Sequence, residues 1–209
     1  MKAEIWSDVM CPFCYIGKRN FELALKEFPQ KEQVEIEWKS FQLNPAMVTD
    51  PSKNINEFLA EHKGISVAQA KQMNDRVTEM AREVGLLYDF DKAIVANSFD
   101  AHRLSHFAKK HGVQNAVEEL LFKAYFTEGK NTADHEILIA IAVEAGLNSE
   151  EARTMLASNQ FADDVNSDIY EAQQVGARGV PFFVFDYKYA VSGAQPSELF
   201  LQVLNRASE

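Results

Sequence analysis

Cysteine is scarce in this 209-residue chain: there are two, Cys11 and Cys14, three positions apart. A disulfide closing so short a loop constrains little of the unfolded chain, which counts against a purely structural staple. Long apolar runs are missing too, and nothing approaches the ~20 residues needed to span a bilayer. There is no internal repeat and no low-complexity segment. Positive charge is in deficit, with 21 Lys and Arg against 31 Asp and Glu and a formal charge of −10. Such a field repels phosphate backbones, so neither nucleic acid nor a membrane is an expected partner. The one basic cluster, Lys109-Lys110-His111, reads as a helix end, where cations favour the macrodipole. The opening stretch MKAEIWSDVM lacks the apolar core and small-residue cleavage site of a secretion signal. The expectation is therefore a cytoplasmic protein, in which a C-x-x-C pair is catalytic or metal-binding more often than structural.

What is present is enough for a full core: 46% of residues are hydrophobic and the charged fraction is an ordinary 25%. Ala3 and Ile5 alternate with charged residues, which makes Lys2–Ser7 a strand. From Pro12 the period becomes helical, with Phe21, Leu25 and Phe28 on one face and Pro29 closing the run. Val34, Ile36 and Trp38 alternate with Glu35, Glu37 and Lys39, so Val34–Phe41 is a second strand. The chain thus opens as one β-α-β unit with the cysteines at its first strand-to-helix junction.

From about Asn54 to Val175 the pattern predicts helices and no strand. Val117, Leu120, Leu121, Ala124 and Tyr125 form one stripe, and Ile137, Leu138, Ile141, Ala142 and Ala145 another. Both are explained as core. Gly85, Gly112 and Gly146 stand where C-terminal caps belong, and Ser66, Asp134 and Asn148 where N-caps do. Phe161, Val165, Ile169 and Ala172 mark a helix ending at Gly176. Phe182–Phe185 and Tyr189–Val191 then form a hairpin around Asp186-Tyr187-Lys188. A last helix from Pro196 puts Leu199, Val203 and Leu204 on one side. The ends of the chain share one sheet if the helical middle loops out and returns.

Cys11, at the turn into a helix, is placed to be held as a thiolate by the unpaired N–H groups and partial positive charge there. Pro12 suits the first helical position, which can dispense with its N–H. Cys14, one turn on, faces back toward Cys11 and is the less exposed thiol. Phe13 supplies neither charge nor donor, although Lys18 or Arg19 can act at longer range. A Pro opening a strand, as in Val180-Pro181, marks a deliberate turn, and X-Pro bonds are the only common cis peptides. A cis-Pro leaves the preceding backbone free to pair with an extended substrate.

The order strand, C-P-x-C helix, strand, then helix, V-P, hairpin, helix resembles the thioredoxin fold, and the helical interval resembles the insertion of the DsbA-like family. SDVMCPFCYIGK, NSFDAHRLSHFA and GVPFFVF are similar to the FrnE-type branch of that family. Its scaffold is related to those of 2-hydroxychromene-2-carboxylate isomerase and kappa-class glutathione transferase. The resemblance implies an α/β fold. Residues 1–45 and 160–209 would make a discontinuous thioredoxin-like domain, and 46–159 a helical insertion. It further implies thiol–disulfide exchange, with Cys11 as nucleophile, Cys14 as resolving thiol and a cis Val180-Pro181 bond packed against them. The substrate-facing set is then Pro12, Phe13, Val180 and Pro181, with Asn97 and His102 on the insertion's lip. No bound cofactor or metal is expected. Glutathione is a possible co-substrate, the partner is a protein or glutathione-like disulfide or dithiol, and monomer and homodimer are both open.

Three alternatives stand beside this. His102 and His106, at H-x3-H spacing, match half of a zinc ligand set with the two cysteines, although the same histidines can simply hydrogen-bond within a packed helix. A glutathione-dependent isomerase or transferase on this scaffold would need position 11 only to orient a glutathione thiolate, and Cys14 counts against it because such chemistry has no use for a resolving thiol. A cleft-binding chaperone is the weakest of the three. Arg178 either holds a substrate carboxylate or is solvated. His62, His111 and His135 belong to helix ends and surface.

Overall fold

A computed structural model describes all of residues 1–209. In chain order the elements are β1 (Lys2–Ser7), α1 (Pro12–Glu27), β2 (Glu35–Ser40), β3 (Asp50–Asn54), α2 (Ile55–Lys63), α3 (Val67–Glu83) and β4 (Ile94–Val95). Then follow α4 (Phe99–Lys110), α5 (Gln114–Phe126), α6 (His135–Glu144), α7 (Ser149–Leu156) and α8 (Ala162–Gln174), and finally β5 (Phe182–Phe185), β6 (Tyr189–Ser192) and α9 (Ser197–Ala207). The main sheet has the order β2-β1-β5-β6. β1 pairs parallel with β2 and antiparallel with β5, so strands from both ends of the chain share one sheet. This is the thioredoxin-like α/β fold with a helical insertion. No helix is long and apolar enough to cross a membrane.

Strand alternation gives the sheet two different faces. Ala3, Ile5, Trp38, Phe183 and Phe185 are buried on one of them. There the Phe21 ring from α1 packs 5.6 Å from Phe183 and 5.6 Å from Phe200 of α9. The other face carries Glu4, Trp6, Glu37 and Lys39 and lies under α8, where Trp6 Nε1 donates to the Asp168 carbonyl at 3.0 Å. The charged residues that alternate along β1 and β2 are thus largely covered: Glu4 is 1% and Glu37 7% exposed.

The cap signals hold where the sequence places them. Ser66, Asp134 and Asn148 accept hydrogen bonds from the first-turn N–H groups of their helices, and Gly85, Gly112 and Gly146 have positive φ. The β5–β6 turn puts Asp186 and Tyr187 at φ 48° and 54°, left-handed backbone that suits the twist of a hairpin.

Three expectations need correction. The middle of the chain does contain strand: β3 and β4 pair antiparallel through an irregular register. The sequence DPSKN, polar and holding a Pro, has no alternation to reveal it. Phe161 does not head the helical run but precedes it at φ 63°. In α9 the buried pair is Phe200 and Leu204, four apart, while Leu199 is 37% exposed.

Candidate active site

β1 delivers the chain into a tight turn closed by Cys11 N–H donating to the Asp8 carbonyl at 2.9 Å. Cys11 is the N-cap of α1 in extended backbone, without a side-chain cap, and Pro12 takes the first helical position. Both cysteines are free thiols. Cys14 is fully buried, and burial together with the neighbouring Cys11 thiol pushes its own thiol well up from the ordinary value. The expected contrast in exposure is slight, because Cys11 is itself only 3% exposed. The physical reason is the covering provided by the insertion and the 180–181 turn.

From one side Cys11 Sγ lies 3.5 Å from the Val180 carbonyl oxygen. The Val180-Pro181 peptide is cis. Pro181 rests directly on α1: a Cβ placed on Gly17 would stand 3.0 Å from Pro181 Cγ and 3.4 Å from the Phe183 ring. A mid-helix glycine costs roughly 1 kcal/mol against alanine, and here it is what lets that turn approach the cysteine helix. From the other side Tyr88 Oη donates to the Pro12 carbonyl at 2.7 Å. Its ring stacks on Phe126 at 4.7 Å and Tyr15 at 6.1 Å, forming an aromatic wall against α1.

Beneath the turn is Asp8, with no exposed surface. Its carboxylate accepts from Leu43 N–H at 2.7 Å and Met10 N–H at 3.4 Å, tying the 43–47 loop to the cysteine turn. His102 Nε2 stands 3.5 Å from Asp8 Oδ1 and is 3% exposed, without a properly formed hydrogen bond. Burial works against charging this imidazole, but Asp8 outweighs it and the His102 pKa is raised above its ordinary value. Ser7 Oγ and Tyr125 Oη, also buried, have no hydrogen-bond partner.

The remaining candidates fall as follows. Pro12 is part-buried and Phe13 is 39% exposed beside Cys11. Asn97 clips the loop before β3: its Nδ2 donates to the Met47 carbonyl at 2.8 Å, and its Oδ1 accepts from Phe99 N–H at 2.9 Å. His106 turns away from the cysteines to Asp168 Oδ2 at 3.0 Å and Ser40 Oγ at 3.1 Å. Phe99 is only part-buried at the start of α4, but Ala101 through Ala108 are all buried, so most of the helix runs through the core. Lys18 and Arg19 are matched to Glu22 and Glu119, which binds α1 to α5. Arg178 is exposed and pairs with no carboxylate. Asp8 and Tyr88 carry no role in the sequence reading, and Tyr125 appears there only as core in the α5 stripe. Only Asp8 had a local cue, three residues before Cys11, whereas the tyrosines reach the site by tertiary packing alone.

A thioredoxin-type sheet with a C-P-x-C pair at the first helix and a cis-Pro turn against it defines a class, and comparison with known proteins gives the family. The DSBA-like thioredoxin domain matches residues 2–205, and the chain belongs to that family of oxidoreductases. It is similar to a probable DsbA oxidoreductase from Streptomyces coelicolor at 41% identity, over 100% of this chain and 90% of that one, with a TM-score of 0.94. Two more distant structures share the fold alone. A 2-hydroxychromene-2-carboxylate isomerase has 15% identity over 100% and 96% of the two chains, with a TM-score of 0.72. The cytosolic disulfide reductase DsbM from Pseudomonas aeruginosa, in a structure with GSH, has 16% identity over 100% of both chains and a TM-score of 0.68.

Proposed function

We propose that this protein is a cytoplasmic thiol–disulfide oxidoreductase of the FrnE type in which Cys11 and Cys14 cycle between dithiol and disulfide. The observation that carries the reading is the pair itself. Two free thiols share a helix N-terminus, with Cys14 fully buried one turn on from Cys11 and the Val180 carbonyl oxygen 3.5 Å from Cys11 Sγ.

The Cys11 thiolate attacks one sulfur of a substrate disulfide. That S–S bond breaks, and the departing thiolate keeps the electron pair. Cys14 then loses its proton and attacks Cys11 Sγ, expelling the second thiolate and leaving Cys11–Cys14 oxidised. Two electrons have passed to the substrate, and two glutathione thiols can restore the dithiol by the reverse sequence. The same steps run backward oxidise a dithiol.

Pro12, Phe13, Val180 and Pro181 frame the point of attack, and the Val180 backbone is the edge along which substrate aligns. His102 acts through Asp8, being too buried to touch substrate. Asn97 acts through the loop it holds.

A glutathione-dependent isomerase or transferase is the other reading. The fold is compatible with it, but it gives no role to Cys14. DsbM, whose structure is with GSH, is the structural neighbour that supports glutathione as a co-substrate here.

The test is trapping. Cys14→Ser incubated with a disulfide should accumulate a mixed disulfide at Cys11, detected by intact mass, while Cys11→Ser should form none. Full turnover by Cys14→Ser would replace the dithiol mechanism with monothiol chemistry.

A further inference from the structure

Beside Cys11 is a cavity of about 380 Å³ that exchange chemistry as such does not require. It opens between the start of α1, the 43–47 loop, α2 and α3. Met10 and Pro12, the residues on either side of Cys11, form part of its wall. Its volume falls in the ~300–1,000 Å³ range of small-molecule sites. Of its 16 lining residues 11 are hydrophobic and none is Asp or Glu, in a chain whose formal charge is −10. His62 and Lys63, the last residues of α2, stand exposed at its rim, and neither is paired with a carboxylate. Tyr125, only 1% exposed, also lines it, and its hydroxyl has no partner. A buried unpaired hydroxyl is costly, and a polar ligand atom reaching it would offset that cost.

We infer that this cavity takes one half of a low-molecular-weight disulfide, an apolar thiol of about the size of one aromatic ring that carries an anionic group. The apolar body lies among Phe13, Phe58 and Phe90, the anion faces Lys63 and His62, and the sulfur is presented to Cys11. The inference rests on the exchange reading above and names its substrate class. A polypeptide is the poorer occupant, because each residue brings an N–H and a C=O that this lining cannot pair. Besides Tyr125, the lining offers inside the rim only Asn44 and Asn74, and Asn74 Nδ2 is already given to Asn56. In the reaction, Cys11 thiolate bonds to the sulfur of the bound half and the other half leaves as thiolate with the electron pair. Attack by Cys14, whose proton passes to solvent, then releases the bound half as a second thiolate.

The test is a single-turnover reaction of the reduced full-length protein with four disulfides: 3,3′-dithiodibenzoate, 3,3′-dithiodianiline, hydroxyethyl disulfide and a short cysteine-peptide disulfide. Each rate is divided by that of dithiothreitol with the same compound, which removes intrinsic reactivity. The expected order is benzoate above aniline above hydroxyethyl, with at least tenfold between first and last. Lys63→Glu, an exposed change, should remove the preference of benzoate over aniline. Val77→Trp, which fills the cavity, should bring both aromatic compounds within twofold of hydroxyethyl disulfide. Equal normalised rates in the wild type, or a preference that survives Val77→Trp, would overturn the inference, as would a peptide disulfide that outruns the benzoate. If no disulfide reacts at all, the exchange reading has failed. The cavity is then judged by fluorescence titration with 1-anilinonaphthalene-8-sulfonate, an apolar anion. Saturable binding lost in both variants supports the site, and unchanged binding contradicts it.

Discussion

β1 serves two buried polar constellations, one on its α8 side and one at its C-terminal end, and they are built differently. On the α8 side Asp168 accepts from the Ser40 N–H at 2.9 Å and from Lys39 at 3.0 Å, and pairs with His106. Lys39 also reaches Glu171, and the Tyr187 hydroxyl donates to Glu171 at 2.7 Å and lies 3.1 Å from Glu4 Oε1. Burial alone would raise the Asp168 carboxyl, but these donors overcome it and hold it below its usual range. At the cysteine end Ser7 Oγ, His102 Nε2 and Tyr125 Oη are all unpartnered, against a single orphan, Glu4 Oε2, on the charged face. A nearly satisfied network fixes structure, whereas the unsatisfied polar atoms around the buried thiol accord with the exchange site proposed above. The difference teaches which residues should matter to stability and which to exchange.

The sharpest way to break that division is to mutate across it. Cys11→Ser should abolish disulfide exchange, measured by single turnover, and leave the denaturation midpoint within error. Next in size, Asp168→Asn should do the reverse. Removing one partner of a buried ionic cluster costs about 3–5 kcal/mol, read as a lower urea midpoint, while the exchange rate of the folded fraction stays unchanged. A large fall in exchange with Asp168→Asn would mean that the two constellations are one.

The two ends also part company in pH. Asp168 and Glu119 have folded pKa values below the unfolded ones, Glu119 at about 2. Their stabilisation is present above the unfolded carboxylate range and is lost as pH falls, for Glu119 between about 4.5 and 2. Because Glu119 is 30% exposed, solvent screening limits it to about 1 kcal/mol. His102 has the opposite sign. Its raised value means that stability is full below about 6.5 and declines as pH rises through the folded pKa. Denaturant midpoints across pH 2–9 should show both limbs, and His102→Gln should flatten only the alkaline one. Glu119→Gln, the smallest effect, should flatten only the acid limb.

Much of this fold is legible in the chain because its cues are local. Period-2 alternation gives β1 and β2, caps give ends of α3, α4, α6 and α7, and C-P-F-C with V-P marks the cysteine site. What stays hidden depends on distant residues. Glu4, Glu37 and Lys39 look like a solvent-facing row until α8, over 120 positions further on, covers them. Asp8 looks like a turn residue until Leu43 and His102 come to it. Tyr88 carries no sign in the sequence that its hydroxyl will hold the Pro12 carbonyl. The near-complete burial of Cys11 is hidden for the same reason, since its cover comes from the insertion and from the 180–181 turn.

The central claim is that Cys11 and Cys14 form one exchange couple, and its most direct test is their reduction potential, from equilibration in glutathione buffers followed by thiol trapping. The account predicts a single transition between dithiol and intramolecular disulfide, following two-electron behaviour at about 30 mV per tenfold change in the equilibrium ratio. The midpoint would then separate an oxidant, above the cytosolic glutathione poise, from a reductant below it. If no Cys11–Cys14 disulfide forms at any accessible potential, the pair is not a redox couple, and the glutathione-isomerase reading takes its place.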